Sequence, residues 1–295
     1  MRIISKAYLI IFILFIGHSV SGNDKVPVFV SIVPQKYFLQ QIGKDLVDVH
    51  VMVDPGASPA TYEPKPGQMA RVSKTRVYFA IGVPFENTWL KKIAAVNPEM
   101  KVVHTDNNIT KISMATDRKQ TRHGHYDKAH ERRGIPDPHI WLCPRLVKIQ
   151  ARAILKGLQE IDPSNGSVFM ANYNKFVSDI DRLDTMLKNM FADKQGLRFM
   201  VFHPAWGYFA TTYGLEQVPV EIEGKSPKPA MLKKLIKRAR TDKIKVVFVQ
   251  PQFSTKSAAL VAKEIRGQVA VADPLAEDWL KNMYQVADRF KAALK

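Results

Sequence analysis

One cysteine, Cys143, stands among 295 residues. A single thiol excludes an internal disulfide, and no cysteine near the N-terminus is placed to carry a lipid. After the first twenty or so residues, no apolar run approaches the roughly 18 residues a membrane-crossing helix needs. Clustered basic sequence is also missing. Lys and Arg number 44 against 27 Asp and Glu, but the cations are spread over many expected helix surfaces. No basic block is interleaved with aromatics, so nucleic acid is not an expected partner. The charge reads as solubility and a general attraction to anionic membrane.

The N-terminus carries an address. Arg2 and Lys6 precede the eleven-residue apolar run Ala7 to Gly17, and the small residues Ser19 and Ser21 stand before Gly22. This is the pattern of a secretory signal peptide, and the run is too short to span a bilayer comfortably. Residues 1–21 are read as that peptide, with an uncleaved anchor as the alternative. Losing Arg2 and Lys6 takes the net charge from +17 to about +15. The mature chain is expected in a periplasm.

The mature sequence alternates between strand and helix patterns. Val26 to Ile32, Leu46 to Val53, Arg76 to Ile81 and Lys101 to His104 read as strands. Helical stretches start at Pro34, Gln68 and Glu86. Such spacing suits parallel βα units. Between the strands, Asp54 to Pro66 holds four prolines and a glycine and reads as a stiff loop. His50, within the second strand, reads as structural.

A long helix is expected from Asn165 to about Lys194. Phe169, Tyr173, Phe176, Ile180, Leu183, Leu187 and Met190 recur at alternating steps of four and three, which places one apolar stripe along one helix face. Gly196 is expected to end it. Beyond it the rhythm repeats, with strands at Leu197 to Phe202, Gln217 to Ile222, Lys245 to Gln250 and Val269 to Ala272, and a closing helix from Asp278 to Leu294. The expected fold class is therefore α/β: two lobes of parallel or mixed sheet flanked by helices, joined by one long rigid helix. The lobes would cover residues 22–164 and 195–295, with 165–194 as the link.

Residues from about 106 to 136 break the rhythm. Thr116 to Gly134 holds six Lys or Arg, three Asp or Glu, and the histidines His123, His125 and His130. It reads as a mobile surface loop, with weak metal capture and plain solvation both open.

Three polar residues stand out by position. His203 and Asp273 lie at the carboxyl ends of hydrophobic strands, where ligands collect in open α/β sheets. His139 follows the loop. Each adjoins a proline, in Pro138-His139, His203-Pro204 and Asp273-Pro274. Two imidazoles and a carboxylate suit a divalent first-row ion, zinc above all. A capping or hydrogen-bonding role is open for each of the three.

Four stretches together resemble the zinc- and manganese-binding solute receptors of bacterial ABC importers. They are Gly56 to Pro64 (GASPATYEP), Asp137 to Leu142 (DPHIWL), His203 to Phe209 (HPAWGYF) and Asp273-Pro274-Leu275. Their order covers nearly the whole mature chain. The resemblance implies an ion in a cleft between two lobes, with His139, His203 and Asp273 as ligands. It implies zinc as cargo with manganese second, an ABC permease as partner, a monomer, and no catalysis. One departure stands in the first loop. The family usually reads Pro-His-Thr-Tyr-Glu-Pro there, and its histidine is a ligand; this chain has Ala60. Glu63 or a loop histidine could take the vacant place, or water could. Thiolate ligation by Cys143 is a further alternative. Two rival functions are open to the same residues. One is a zinc hydrolase, for which Glu63 is the only nearby base and no His-Glu-x-x-His helix exists. The other is an adhesin reusing the receptor fold.

Overall fold

The computed structural model describes residues 25–114, 135–221, 227–253 and 255–294. The signal-peptide pattern and the loop histidines His123, His125 and His130 lie outside the described residues.

Eight short strands form two four-stranded sheets. In the first, β1 (Val26–Val30), β2 (Val47–Val51), β3 (Val77–Ala80) and β4 (Lys101–His104) take the order β2-β1-β3-β4. In the second, β5 (Arg198–Val201), β6 (Glu216–Pro219), β7 (Val246–Val249) and β8 (Gln268–Val271) take the order β6-β5-β7-β8. Every pairing within both sheets is parallel, so the mixed alternative falls away. The strand order turns at the same place in each half. β1 and β5 each have the next strand on one side and the one after it on the other. That is the topological switch point, where side chains at the carboxyl ends of strands face a crevice.

Helices cover both sheets: α1 (Val33–Gly43), α2 (Pro66–Val72), α3 (Pro84–Val96), α4 (Pro144–Ile161), α5 (Gly166–Phe191), α6 (Gly207–Thr212), α7 (Pro229–Thr241), α8 (Lys256–Glu264) and α9 (Trp279–Ala293). Five of them, α1, α2, α3, α4 and α7, carry proline in their first turn, where the missing N–H costs nothing.

The chain passes from one sheet to the other through α5, whose stripe is buried as expected at Phe169, Phe176, Ile180, Leu183 and Leu187. The helix is shorter than the sequence suggests. Asn165 belongs to a preceding 3₁₀ turn, and α5 ends at Phe191. The end is closed by a backbone turn, the Lys194 N–H donating to the Phe191 carbonyl (3.1 Å), and by Gln195, whose Nε2 donates to the Phe191 carbonyl (3.0 Å) and to the Tyr213 carbonyl (3.1 Å). Gly196, at φ +75°, serves the turn into β5 and not the helix end.

α5 packs on α1, α4 and α9. One continuous apolar cluster runs from the first sheet through α5 to α9 and the near face of the second sheet. A smaller cluster fills the far face of the second sheet under α7 and α8. The halves are also tied by polar contacts. Trp141 Nε1 donates to the Pro274 carbonyl, and Trp279 Nε1 donates to the Trp141 carbonyl, each at 2.7 Å and buried. Tyr208 Oη donates to the Asp137 carbonyl at 2.8 Å. Trp141 is therefore a packing residue that spans the junction. An indole N–H buried without a partner is costly, so these pairings fix the halves in one mutual position.

Candidate metal centre

His139 ends a Pro-His turn just before a 3₁₀ turn, Ile140–Leu142, and α4. His203 sits past the carboxyl end of β5. The two rings meet at the junction, with Nε2 atoms 3.2 Å apart, centroids 5.1 Å apart and planes crossed at 70°.

What lies behind each ring decides its chemistry. His139 Nδ1 donates to Asp137 Oδ1 at 2.7 Å, and His203 Nδ1 donates to Glu221 Oε1 at 2.5 Å. A carboxylate accepts only, so each Nδ1 carries the proton. Each Nε2 then presents a lone pair when the ring is neutral. Two lone pairs facing at this distance repel unless a cation lies between or beside them. Two nitrogens each bound tetrahedrally to one zinc, at the usual bond length, stand about 3.3 Å apart. The observed separation is close to that.

Both carboxylates are buried, Asp137 at 1% exposure and Glu221 at 4%. Asp137 Oδ1 also accepts from the His139 backbone N–H at 2.9 Å. The close approach on the other side of Asp137 needs Gly207, where an added Cβ would fall 2.8 Å from Asp137 Oδ2. Asp137 Oδ2 and Glu221 Oε2 have no hydrogen-bond partner among the described residues. Gln250, fully buried beyond β7, clamps the His203 backbone: its Oε1 accepts from the His203 N–H (3.1 Å) and its Nε2 donates to the His203 carbonyl (2.7 Å). Phe253 stacks on the His203 ring at 4.7 Å. Burial holds the His203 imidazole below the ordinary histidine pKa. The neighbouring His139 pushes the same way, and Glu221 opposes both. The ring is thereby kept neutral and able to coordinate.

The rings open on a cavity of about 60 Å³. Ser58, Pro59, Ala60, Val83, Pro84 and Met114 line it from the side of the first sheet. Gln252, Phe253, Pro274 and Leu275 line it from the side of the second. Ala60 thus shares the cavity with the pair of imidazoles and has only a methyl group to offer it. Glu63 is exposed and does not line the cavity. Cys143 is buried with its sulfur 3.3 Å from Thr212 Oγ1 and does not line the cavity either. His50 lies apart on β2, 3.2 Å from Asp48, which fits a structural role.

Asp273 is placed differently from the histidines. Its Oδ1 accepts from the Leu275 N–H (2.9 Å) and from Gln252 Nε2 (3.1 Å). Among the described residues no three His, Cys, Asp or Glu side chains form a group able to hold a metal ion as they stand. The structure therefore joins His139 with His203 and leaves Asp273 outside the cavity lining, its Oδ1 held by Leu275 and Gln252. Asp137, Glu221, Gln250 and Gln252 were not singled out from sequence. Only position could have found them: Asp137 two residues before His139, and Glu221 and Gln250 just past strands β6 and β7.

Two parallel α/β halves fixed on one helix, with a crevice at their junction, are the architecture of a two-lobed solute receptor. Residues 28–293 match the ZnuA family, described as zinc-uptake complex component A, periplasmic, and the chain belongs to that family. It is a receptor family and not one of enzymes, which removes the hydrolase alternative. A solved ZnuA structure is 42% identical, with a TM-score of 0.84, covering 92% of this chain and 100% of that one. A ZnuA 138–173 deletion mutant solved with zinc bound is 41% identical, with a TM-score of 0.83, covering 92% and 99%. The high-affinity zinc uptake system protein ZnuA of Bacillus subtilis is 26% identical over 262 residues, 88% of this chain and 81% of its own.

Proposed function

We propose that this protein captures a zinc ion on the Nε2 atoms of His139 and His203 and hands it to the membrane permease of an ABC importer, with manganese as second cargo. The observation that carries the proposal is the imidazole pair, lone pairs facing at 3.2 Å, each ring held by a buried carboxylate. Carboxylate-backed histidines are the usual second shell of a protein metal site, fixing the tautomer and raising the basicity of the ligand. Asp273 is the third ligand in this reading. Its Oδ1 is held by the Leu275 N–H and by Gln252, a residue of the cavity wall, which leaves Oδ2 as the atom for the ion. With Ala60 in place of an imidazole, a remaining position goes to water or another oxygen donor, an arrangement zinc accepts.

The receptor is exported by cleavage after Ser21 and acts as a periplasmic monomer. The rims of both lobes around the cavity meet the permease. The test is calorimetric zinc titration of chelator-treated protein, with Ala60→His in parallel. Wild type is expected to bind one zinc, and Ala60→His to bind it more tightly. A wild type that binds no zinc overturns the reading. Elemental analysis of protein purified without added metal reports which ion it selects.

A further inference from the structure

We infer that Gln252 is a metal ligand of this receptor, its carboxamide oxygen coordinating the ion alongside His139 and His203; the inference rests on the function proposed above. Gln252 lines the same cavity as both imidazoles and Ala60. Its Nε2 donates to Asp273 Oδ1 at 3.1 Å. Because a carboxylate cannot donate, that contact fixes which end of the amide is nitrogen and turns the oxygen away from Asp273. The oxygen, Oε1, is buried and has no hydrogen-bond partner among the described residues.

A buried amide oxygen without a partner carries a desolvation penalty, and a cation is the natural group to relieve it. The other groups facing the rings are poor competitors. Ala60 offers only a methyl. Ser58 Oγ already accepts from the Ala60 N–H at 3.3 Å. Asp273 Oδ1 already accepts from the Leu275 N–H, which leaves its other oxygen as the carboxylate ligand of the function proposed above and a further position open. The carboxamide oxygen is neutral and harder than imidazole nitrogen, a donor type that also suits manganese. A site of two imidazoles, a carboxylate and an amide oxygen discriminates less sharply between the two ions than one in which a third imidazole replaces the amide. Gln252 thus determines specificity as well as affinity.

Two substitutions separate ligation from a mere tether on Asp273. Gln252→Leu removes both ends of the amide. Gln252→Glu keeps an oxygen at the same reach but loses the N–H that holds Asp273. Zinc affinity is measured by calorimetry, and the coordination shell by the visible absorption of the Co²⁺-loaded protein; a melt of the metal-free protein confirms folding. If the oxygen coordinates, Gln252→Leu weakens zinc by about tenfold or more, the scale on which metal sites respond to loss of a fixed polar group. It also alters the Co²⁺ spectrum, while Gln252→Glu keeps both affinity and spectrum close to wild type. Equal weakening in the two variants means that Gln252 only positions Asp273, and overturns the inference. So does no change in either, with wild-type zinc binding intact, and that outcome leaves the proposed function standing. No zinc binding by the wild type overturns both.

Discussion

His139 and His203 have buried carboxylates behind them and backbone clamps or aromatic rings around them, whereas Ala60 in the same cavity has no donor at all and Asp273 beside it has no charged partner behind it, only the Leu275 N–H and Gln252 on its Oδ1 and Asn282 on its carbonyl. The histidine half is preorganised: Asp137, Glu221 and Gln250 hold ring, tautomer and backbone before any ion arrives. At the other half, Ala60 cannot coordinate and Asp273 has one oxygen, Oδ1, held by Leu275 and Gln252. The contrast teaches where affinity resides. It is carried by the groups whose second contacts are already made, and the remaining corners modulate it.

The contrast can be broken most directly at the rings. His203→Ala or His139→Ala removes one of two prepared donors, and zinc affinity in calorimetry is expected to fall by at least about a hundredfold. Next comes the acid behind the ring. Glu221→Gln removes the charge that makes the His203 Nε2 a strong donor, and is expected to cost between about 10-fold and 100-fold in affinity. Asp273→Asn, on the less prepared side, should cost less than Glu221→Gln in the same titration; a larger loss at Asp273 would reverse the comparison.

Protons compete for the same lone pairs. Since burial holds His203 below the ordinary histidine pKa, its ring is neutral at neutral pH and zinc displaces no proton from it there. Zinc affinity is expected to stay flat from pH 8 down past the ordinary histidine value and to fall only as pH drops through the lowered pKa of His203. Titrations from pH 8 to 5 check this. The smallest effect on binding is expected at the junction. Trp279→Phe leaves the Trp141 carbonyl without its indole donor and should lower unfolding stability by about 1–3 kcal/mol with zinc affinity unchanged. Denaturant unfolding and calorimetry together separate the two quantities.

Much of the fold was legible in the chain. All eight strands and the apolar stripe of α5 follow from hydrophobic periodicity and Pro or Gly punctuation, which are local signals. His139 and His203 were legible by position, next to proline or at a strand's carboxyl end. The end of α5 was not, because the Gln195 side chain that caps it is held by the Tyr213 carbonyl, 18 residues on. The carboxylates behind the rings were equally hidden. Glu221 reaches His203 only because β5 and β6 lie side by side, a pairing that no spacing along the chain announces. Asp273 was visible as a strand-end acid, but its engagement with Gln252 depends on two loops meeting in space.

The crossed tryptophans bear on how cargo leaves. With Trp141 and Trp279 each hydrogen-bonded across the seam and a shared core beneath, this molecule lacks the loose jaws of a clamshell. Filled and empty forms should then share nearly one silhouette, with a radius of gyration in X-ray scattering that zinc leaves unaltered. A transporter that must tell one from the other has to read the texture of the rim around the ion rather than the width of a gape.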